Sequence, residues 1–170
     1  MIELIVTMIV IGIMAVVVMP RLDLLKGFDE IGYRDKVRAT VEFARKSAVA
    51  SRRYVCLAAN GNGLVLTRDI RDPDSLTLAT ISCPNGTAAN RLALPVADTK
   101  YCGAATNGNE ICAPGGVTLT APATNVVFSP LGRPTGTSNC TSAGSPAYCY
   151  TVTGTSPQTV TVESETGYVH

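Results

Sequence analysis

The feature that most constrains this chain is an uncharged apolar run near its start. Residues 4–19 read LIVTMIVIGIMAVVVM, sixteen positions without a charged side chain, and Pro20 and Arg21 follow them. A helix needs about 20 apolar residues to cross a bilayer, and Met1 and Ile2 extend the run toward that length. The basic start and the small-residue cleavage site of a secretory signal peptide are both missing. The run therefore predicts a helix that inserts into a membrane.

Glu3 lies at the edge of this run, and an ordinary membrane anchor gives no reason for a carboxylate there. An ionised group in such a place is costly and indicates a functional group that awaits a partner. Basic residues begin only at Arg21, so the positive-inside rule would place the rest of the chain in the cytoplasm. The cysteines indicate an oxidising compartment instead. The two indications agree if a short basic leader precedes Met1, and we expect one.

All 6 cysteines lie outside the apolar run, in a part of the chain rich in Gly, Pro, Ser, Thr and Asn. An even number of cysteines in such a context, without CxxC spacing, favours disulfides over a metal site. Among the 15 possible connectivities we favour the two short closures, because each brackets a stretch that could loop back, and a third pair is then left by elimination. Free thiols in a cytosolic protein are the alternative. The predicted pairs are Cys102–Cys112, Cys140–Cys149 and Cys56–Cys83.

Catalytic and metal-binding patterns are poorly represented. The single histidine, His170, is the last residue, so a Ser-His-Asp or Cys-His site and a histidine-based metal site lack their usual base or ligand. Phosphate-binding loops, GxSxG and HExxH motifs do not occur in the sequence. We therefore predict no enzyme, no cofactor, no metal and no small-molecule substrate.

Charge argues against nucleic-acid binding. Residues 54–170 contain five basic and seven acidic residues, a formal charge of −2, and Trp is absent from the chain. Residues 21–53 are basic, with a formal charge of +4. A solvated helix face is the preferred interpretation of these basic residues, with an anionic-lipid or DNA patch as the alternative. DNA is thus predicted not to be a partner.

Periodicity predicts two kinds of structure after Pro20, a residue that should kink the helix. Helical spacing over residues 27–53 places one apolar stripe on Ile31, Val37, Val41, Ala44 and Ala48. Residues 60–63, NGNG, then predict a hairpin, and the period changes to two. Strands are predicted at 54–59, 64–68, 76–82, 91–96, 117–120, 125–129, 147–153 and 158–163, with 168–170 pairing back after a turn at 164–167. The predicted fold is α+β, a long N-terminal helix packed on an antiparallel β-sheet with disulfide-closed loops.

Several of these segments resemble one family. Residues 2–6, IELIV, followed by residues 8–15, MIVIGIMA, and by Pro20 and Arg21, resemble the N-terminal signature of type IV pilins and type II secretion pseudopilins. In that family a leader and a glycine-phenylalanine cleavage site precede the signature. Here Met1 stands where the family has a leucine or valine.

Other segments are similar to one subgroup of that family, the minor pseudopilin H and FimT-type proteins. They are residues 44–53, 127–134 and 162–170. The similarity is greatest to the minor pilins of mannose-sensitive haemagglutinin pili. DNA-uptake members of the subgroup have a basic C-terminal tail, whereas this tail contains Glu163 and Glu165 and no Lys or Arg.

The resemblance implies a structural minor subunit of a type IV pilus or type II secretion pseudopilus that helps to initiate or cap the filament. Residues 1–26 would be the transmembrane and filament-core half of the helix, and residues 27–170 the exported pilin-like domain. Glu3 would pair with the free α-amine of a neighbouring pilin subunit. The protein would span the inner membrane once, with a periplasmic domain, before joining a periplasmic or extracellular filament.

Two alternatives stay open at this point. One is a binding module at a pilus tip that takes up DNA or adheres to surfaces or sugars. The other is a conventional periplasmic domain on a membrane anchor.

Overall fold

A computed structural model describes residues 2–71, 83, 87–103 and 107–170, without the side chains of residues 15–26. Its first element, α1, extends from Ile2 to Ser51 as a single helix of 50 residues. The predicted apolar and amphipathic stretches are therefore two halves of one element. Pro20 lies inside α1 and does not end it. A bend at Pro20 stays a prediction.

The second half of α1 buries one stripe of side chains against both sheets of the protein. Val37, Val41, Ala44 and Ala48 are fully buried, and Tyr33 is nearly so. These residues are four, four, three and four positions apart, which keeps them on one helix face. The small side chains of Ala44 and Ala48 allow the sheets to approach the helix closely. This stripe forms the centre of the hydrophobic core.

One member of the predicted stripe was wrong. Ile31 is 53% exposed, and Tyr33 instead is the first buried residue of the stripe. Ile31 lies six positions before Val37, which rotates it by about 120° away from the stripe at 3.6 residues per turn. Tyr33 lies four positions before Val37, and its hydroxyl donates to the carbonyl of Asn62 at 2.7 Å.

The C-terminal end of α1 is closed by main-chain hydrogen bonds rather than by a glycine. Arg52 takes a positive φ of 50°, and its N–H donates to the carbonyl of Val49 at 3.3 Å. The N–H of Arg53 donates to the carbonyl of Ala48 at 3.2 Å. This six-to-one bond satisfies a carbonyl that the helix leaves without an internal donor. Both arginines also lie at the negative end of the helix dipole.

The first sheet has five antiparallel strands. They are β1 (Val55–Asn60), β2 (Gly63–Arg68), β3 (Glu110–Cys112), β5 (Val126–Phe128) and β6 (Pro134–Thr135). Their order in the sheet is β3-β2-β1-β5-β6. The predicted NGNG hairpin is confirmed, because Asn60 pairs with Gly63 across a turn of two residues. A Cβ at Gly63 would collide with the carbonyl oxygen of Ile111, so only glycine lets β3 approach β2 here.

The second sheet is built around the nine-residue strand β8 (Ser145–Thr153). One side of β8 pairs with β9 (Gln158–Glu163), and the other side pairs with β4 (Thr118–Thr120) and β7 (Cys140–Ser142). As predicted, the chain then turns back after β9, because Val162 bridges to Val169. The N–H of His170 donates to the carbonyl of Thr161 at 3.0 Å.

Two further strand predictions met different outcomes. The predicted strand at 91–96 was wrong, because only Arg91 forms an isolated bridge, to Thr67. Pro95 cannot donate to a ladder, and residues 97–98 lead into a short helix, α2 (Thr99–Cys102). The predicted strand at 76–82 lies outside the described residues.

The predicted fold class is confirmed. Within the described residues, a long N-terminal helix packs on two antiparallel sheets, where one was expected, and disulfides close several loops.

Candidate assembly surface

Residues 2–14, at the start of α1, expose apolar side chains on every face. Because consecutive residues of a helix point in different directions, a run of exposed apolar positions cannot be the edge of a stripe. An exposed apolar surface of this kind marks a site of interaction with protein or membrane. We call residues 2–14 of α1 the apolar segment. Its large exposed side chains are Ile2, Leu4, Ile5, Val6, Met8, Ile9, Val10, Ile11, Ile13 and Met14.

Glu3 lies in the first turn of α1 and is exposed. A carboxylate in the first turn is favourable because the helix dipole is positive at this end. Its neighbours Ile2 and Leu4 are also exposed. Any molecule that covers the apolar segment at this level must therefore also accommodate a negative charge.

Membrane insertion of the apolar run stays a prediction. Across the parts of the chain that the structure describes, no helix combines the length and the apolarity that crossing a bilayer requires.

Glu30 links the start of the packed half of α1 to the second sheet through hydrogen bonds. Its carboxylate is 2% exposed and accepts the N–H of Thr155 at 2.7 Å and that of Ser156 at 3.1 Å. A Cβ at Gly154 would lie 2.9 Å from the same carboxylate, so the β8–β9 turn closes tightly over it. Two main-chain N–H groups compensate for the burial of the charge. Glu30 therefore marks the point where α1 becomes part of the folded domain.

Lys36 connects α1 to the loop that Cys102–Cys112 closes. Its ammonium group lies 3.0 Å from the buried carboxylate of Asp98, which also accepts the N–H of Cys112 at 3.1 Å. The same ammonium group lies 5.0 Å from the ring centre of Tyr101, within cation–π range. The hydroxyl of Tyr101 donates to Asp29 at 3.3 Å. The disulfide loop is thus held against the helix by charge as well as by the cysteines.

Beside this contact, α1 and residues 94–98 line a largely apolar groove with a volume of about 290 Å³. Ala39 and Phe43 form its helix side, and Leu94 and Val96 its other side. It is a groove on the flank of the helix, and none of the residues selected by the sequence analysis lines it.

The six cysteines form three disulfides, which are the two short closures favoured from their spacing and the third pair left by elimination. Their Cα–Cα distances are 5.4 Å for Cys56–Cys83, 5.2 Å for Cys102–Cys112 and 6.0 Å for Cys140–Cys149. These distances lie in the usual range for disulfides. The last bridge links neighbouring strands β7 and β8, and the side chain of Asn139 accepts the N–H of Cys149 at 2.7 Å.

The surroundings of Glu163, Tyr33 and Tyr150 shift the pKa values of these groups. His170 lies 3.1 Å from Glu163, and hydrogen bonds from Ser142 and His170 hold the pKa of Glu163 below its usual value. Burial raises the pKa of the Tyr33 and Tyr150 hydroxyls, so both stay protonated at neutral pH. No cluster of metal-ligating side chains occurs within the described residues.

The chain matches no family model and none of the curated proteins. Among solved structures it is similar to the type IV minor pilin FimU of Pseudomonas aeruginosa (strain PAO1). The sequences are 10% identical, the TM-score is 0.46, and the alignment covers 81% of this chain and 83% of that chain.

Proposed function

We propose that this protein is a structural minor subunit of a type IV pilus or type II secretion pseudopilus, assembled through the first half of α1. The observation that carries the proposal is the exposed apolar segment, which is continuous with a helix half packed on the sheets. The folded domain buries its own apolar stripe, whereas the apolar segment stays exposed and can be covered only by other molecules. Residues 1–26 form the membrane and filament-core half, and residues 27–170 form the exported domain.

Assembly transfers the apolar segment from lipid to a bundle of like helices. Both environments cover the apolar side chains, but they treat Glu3 differently. A buried carboxylate is tolerated only when it is paired, because its desolvation costs several kcal/mol. The free α-amine of a neighbouring subunit supplies that pair in the bundle, as the family resemblance implies. Glu3 thus favours the assembled state over the membrane state, and Pro20 bends α1 within its first half.

Location follows from the same features. The three disulfides are favoured by an oxidising space such as the periplasm. The protein therefore begins in the inner membrane with a periplasmic domain and continues in a filament, where it helps to initiate or cap assembly. Its partners are other pilin or pseudopilin subunits.

Replacing Glu3 by Gln tests this proposal. Glu3→Gln keeps the size of the side chain and the apolar segment, so membrane insertion should stay the same. Incorporation into filaments should fall at least tenfold, because the partner amine is left buried without its counter-charge. Filaments are sheared from cells, and the subunit is quantified by immunoblot in the filament and membrane fractions.

Glu165→Gln is the matched control, since it makes the same change at an exposed carboxylate of the folded domain. Its incorporation should equal that of the wild type. Equal incorporation of Glu3→Gln and the control would overturn the role of Glu3.

A further inference from the structure

A second feature of α1 lies on the flank of its packed half, away from the apolar segment. Arg38, Glu42, Arg45 and Lys46 are spaced so that they share one face of the helix. The carboxylate of Glu42 lies 3.4 Å from Nε of Arg38 and 3.5 Å from Nζ of Lys46. One acid is thus shared by two cations. Among the described residues Arg45 has no ion pair, so the flank has an excess of positive charge.

The side chain of Arg45 packs close to two glycines. A Cβ on Gly132 would lie 3.4 Å from Nε of Arg45, and one on Gly167 would lie 3.2 Å from the same atom. Both glycines have positive φ angles, +80° and +66°, and any larger residue would crowd the arginine. Nε of Arg45 is buried and has no hydrogen-bond acceptor among the described groups. A buried charged donor without an acceptor is rare and calls for an explanation.

The same side chains line a small cavity of about 120 Å³. Arg38, Glu42, Arg45 and Lys46 form its helix side, and Tyr168 and Val169 close it from the strand that returns after β9. Tyr168 is 57% exposed and stacks on His170, with 5.6 Å between ring centres. The cavity therefore combines three cations, one shared carboxylate and the edge of an aromatic platform.

The geometry points to a binding site for a small oxyanion, a phosphate, a sulfate or a single carboxylate group, centred on Arg45. A planar guanidinium group matches the oxygens of such ligands in a forked geometry. Close packing against Gly132 and Gly167 leaves the side chain of Arg45 little room to move, which lowers the entropy that binding would otherwise cost. The ligand is either the free ion or the terminal group of an acidic sugar whose ring rests on Tyr168. This site is separate from the proposed assembly function, since all of its residues lie outside residues 2–26.

Charge removal at Glu42 and at Arg45 should change the affinity for the ligand in opposite directions. The ligand must compete with this carboxylate for Arg38 and Lys46, so removing the negative charge of Glu42 should tighten binding. Removing the positive charge of Arg45 should weaken it. A merely structural role for both residues would not produce effects of opposite sign.

NMR titration of the full chain in a nonionic detergent tests the site. The Nε–H signal of Arg45 and the backbone amides of Tyr168 and Val169 are followed while inorganic phosphate, acetate, glucuronate or glucose is added at constant ionic strength. Phosphate should produce saturable shifts with a Kd on the order of 1 mM, as expected for a ligand of few atoms. Glucose should produce none. Tighter binding of glucuronate than of acetate, lost in Tyr168→Ala, identifies an acidic sugar, whereas equal binding of the two identifies the free ion.

The variants decide whether the shifts report the site. Arg45→Gln should weaken phosphate binding at least tenfold, and Glu42→Gln should tighten it about fivefold, the factor expected for one charge at close range in a solvated site. Lys100→Gln, which removes a charge from α2, should change nothing. If Arg45→Gln does not fold, Arg38→Gln and Lys46→Gln should each weaken binding instead. Absence of saturation in the wild type, or an equal loss in Lys100→Gln, would overturn the proposal. Binding should persist in Glu3→Gln, so the two proposals fail independently.

Discussion

The two halves of α1 differ in what covers their apolar side chains. In the first half, Ile9 is 56% exposed and its neighbours are exposed on all sides of the helix. In the second half, Val41 is fully buried beneath the two sheets. The backbone is one continuous helix through both. The difference therefore lies in the side-chain pattern, because a stripe can be buried by the chain's own sheets and an all-round apolar surface cannot.

That contrast separates stability from assembly. Burial of the stripe stabilises the folded domain, at about 1.5–3 kcal/mol for each large aliphatic side chain. Burial of the apolar segment contributes nothing until lipid or another subunit covers it. Mutations in the two halves should then affect different measurements.

The largest difference is expected from one charge placed in each half. Val41→Asp buries an unpaired carboxylate in the core and should lower the free energy of unfolding by about 4 kcal/mol or more. Ile9→Asp should change it by less than about 0.5 kcal/mol, because the site is exposed. Denaturant unfolding followed by near-UV circular dichroism measures both. Equal losses would mean that the first half is also part of the folded core.

The next effect is expected at Glu30, where the packed half begins. Glu30→Gln replaces a carboxylate that accepts two main-chain N–H groups, and should cost about 2–3 kcal/mol of unfolding free energy. Glu3→Gln is the comparison, since it alters a carboxylate of the same helix that is exposed, and should cost almost nothing. The same denaturant experiment distinguishes them. An unchanged unfolding free energy in Glu30→Gln would show that this contact does not hold the helix against the second sheet.

A disulfide should contribute somewhat less to the unfolding free energy than Glu30 does, and it should stabilise only the folded domain. Replacing Cys140 and Cys149 together by Ser opens a loop with a sequence separation of 9, which chain-entropy arguments value at about 2.6 kcal/mol before any strain in the native state is subtracted. Peptide mapping without reduction, on protein from the periplasm, should first recover the three pairs. Free alkylation of all six cysteines without reductant would contradict export to an oxidising space.

The smallest effect concerns pH. Hydrogen bonds from Arg71, the shortest at 2.6 Å, hold the pKa of Asp69 below its usual value. A depressed folded-state pKa stabilises the protein above the unfolded pKa of about 3.9, and this contribution is lost as the pH falls through the lower folded value. Asp69→Asn should therefore cost about 1 kcal/mol at neutral pH and progressively less below about pH 4. A cost that stays constant down to pH 2 would contradict this linkage.

The sequence predicted best the elements with strong local signals. The stripe from Val37 to Ala48, the NGNG hairpin and the long strand β8 follow from periodicity and turn chemistry. Strands β3, β6 and β7 have three residues or fewer, too short for alternation to be visible. They exist because longer strands beside them offer hydrogen bonds, which is tertiary context that no local pattern reveals.

The functional residues also differ in how far the sequence alone reveals them. Glu3 was noticeable because a charge in an apolar run is rare, and the short cysteine pairs because their spacing suits loop closure. Glu30 and Arg45 look like ordinary polar residues of an amphipathic helix. Their roles depend on turns more than eighty residues away in the sequence, at Gly132, Gly154 and Gly167, so sequence reasoning missed them.

Site-specific photo-crosslinking tests most directly whether the apolar segment contacts other subunits. A photoreactive phenylalanine analogue is placed at Ile9 and, as a control of similar exposure in the folded domain, at Ile70. Cells are irradiated, filaments are sheared, and adducts are identified by mass spectrometry. Ile9 should yield abundant adducts with the N-terminal helices of other pilin-like subunits, and Ile70 few or none with those helices. Adducts of Ile9 with lipid alone, in cells that assemble filaments containing the protein, would contradict the account.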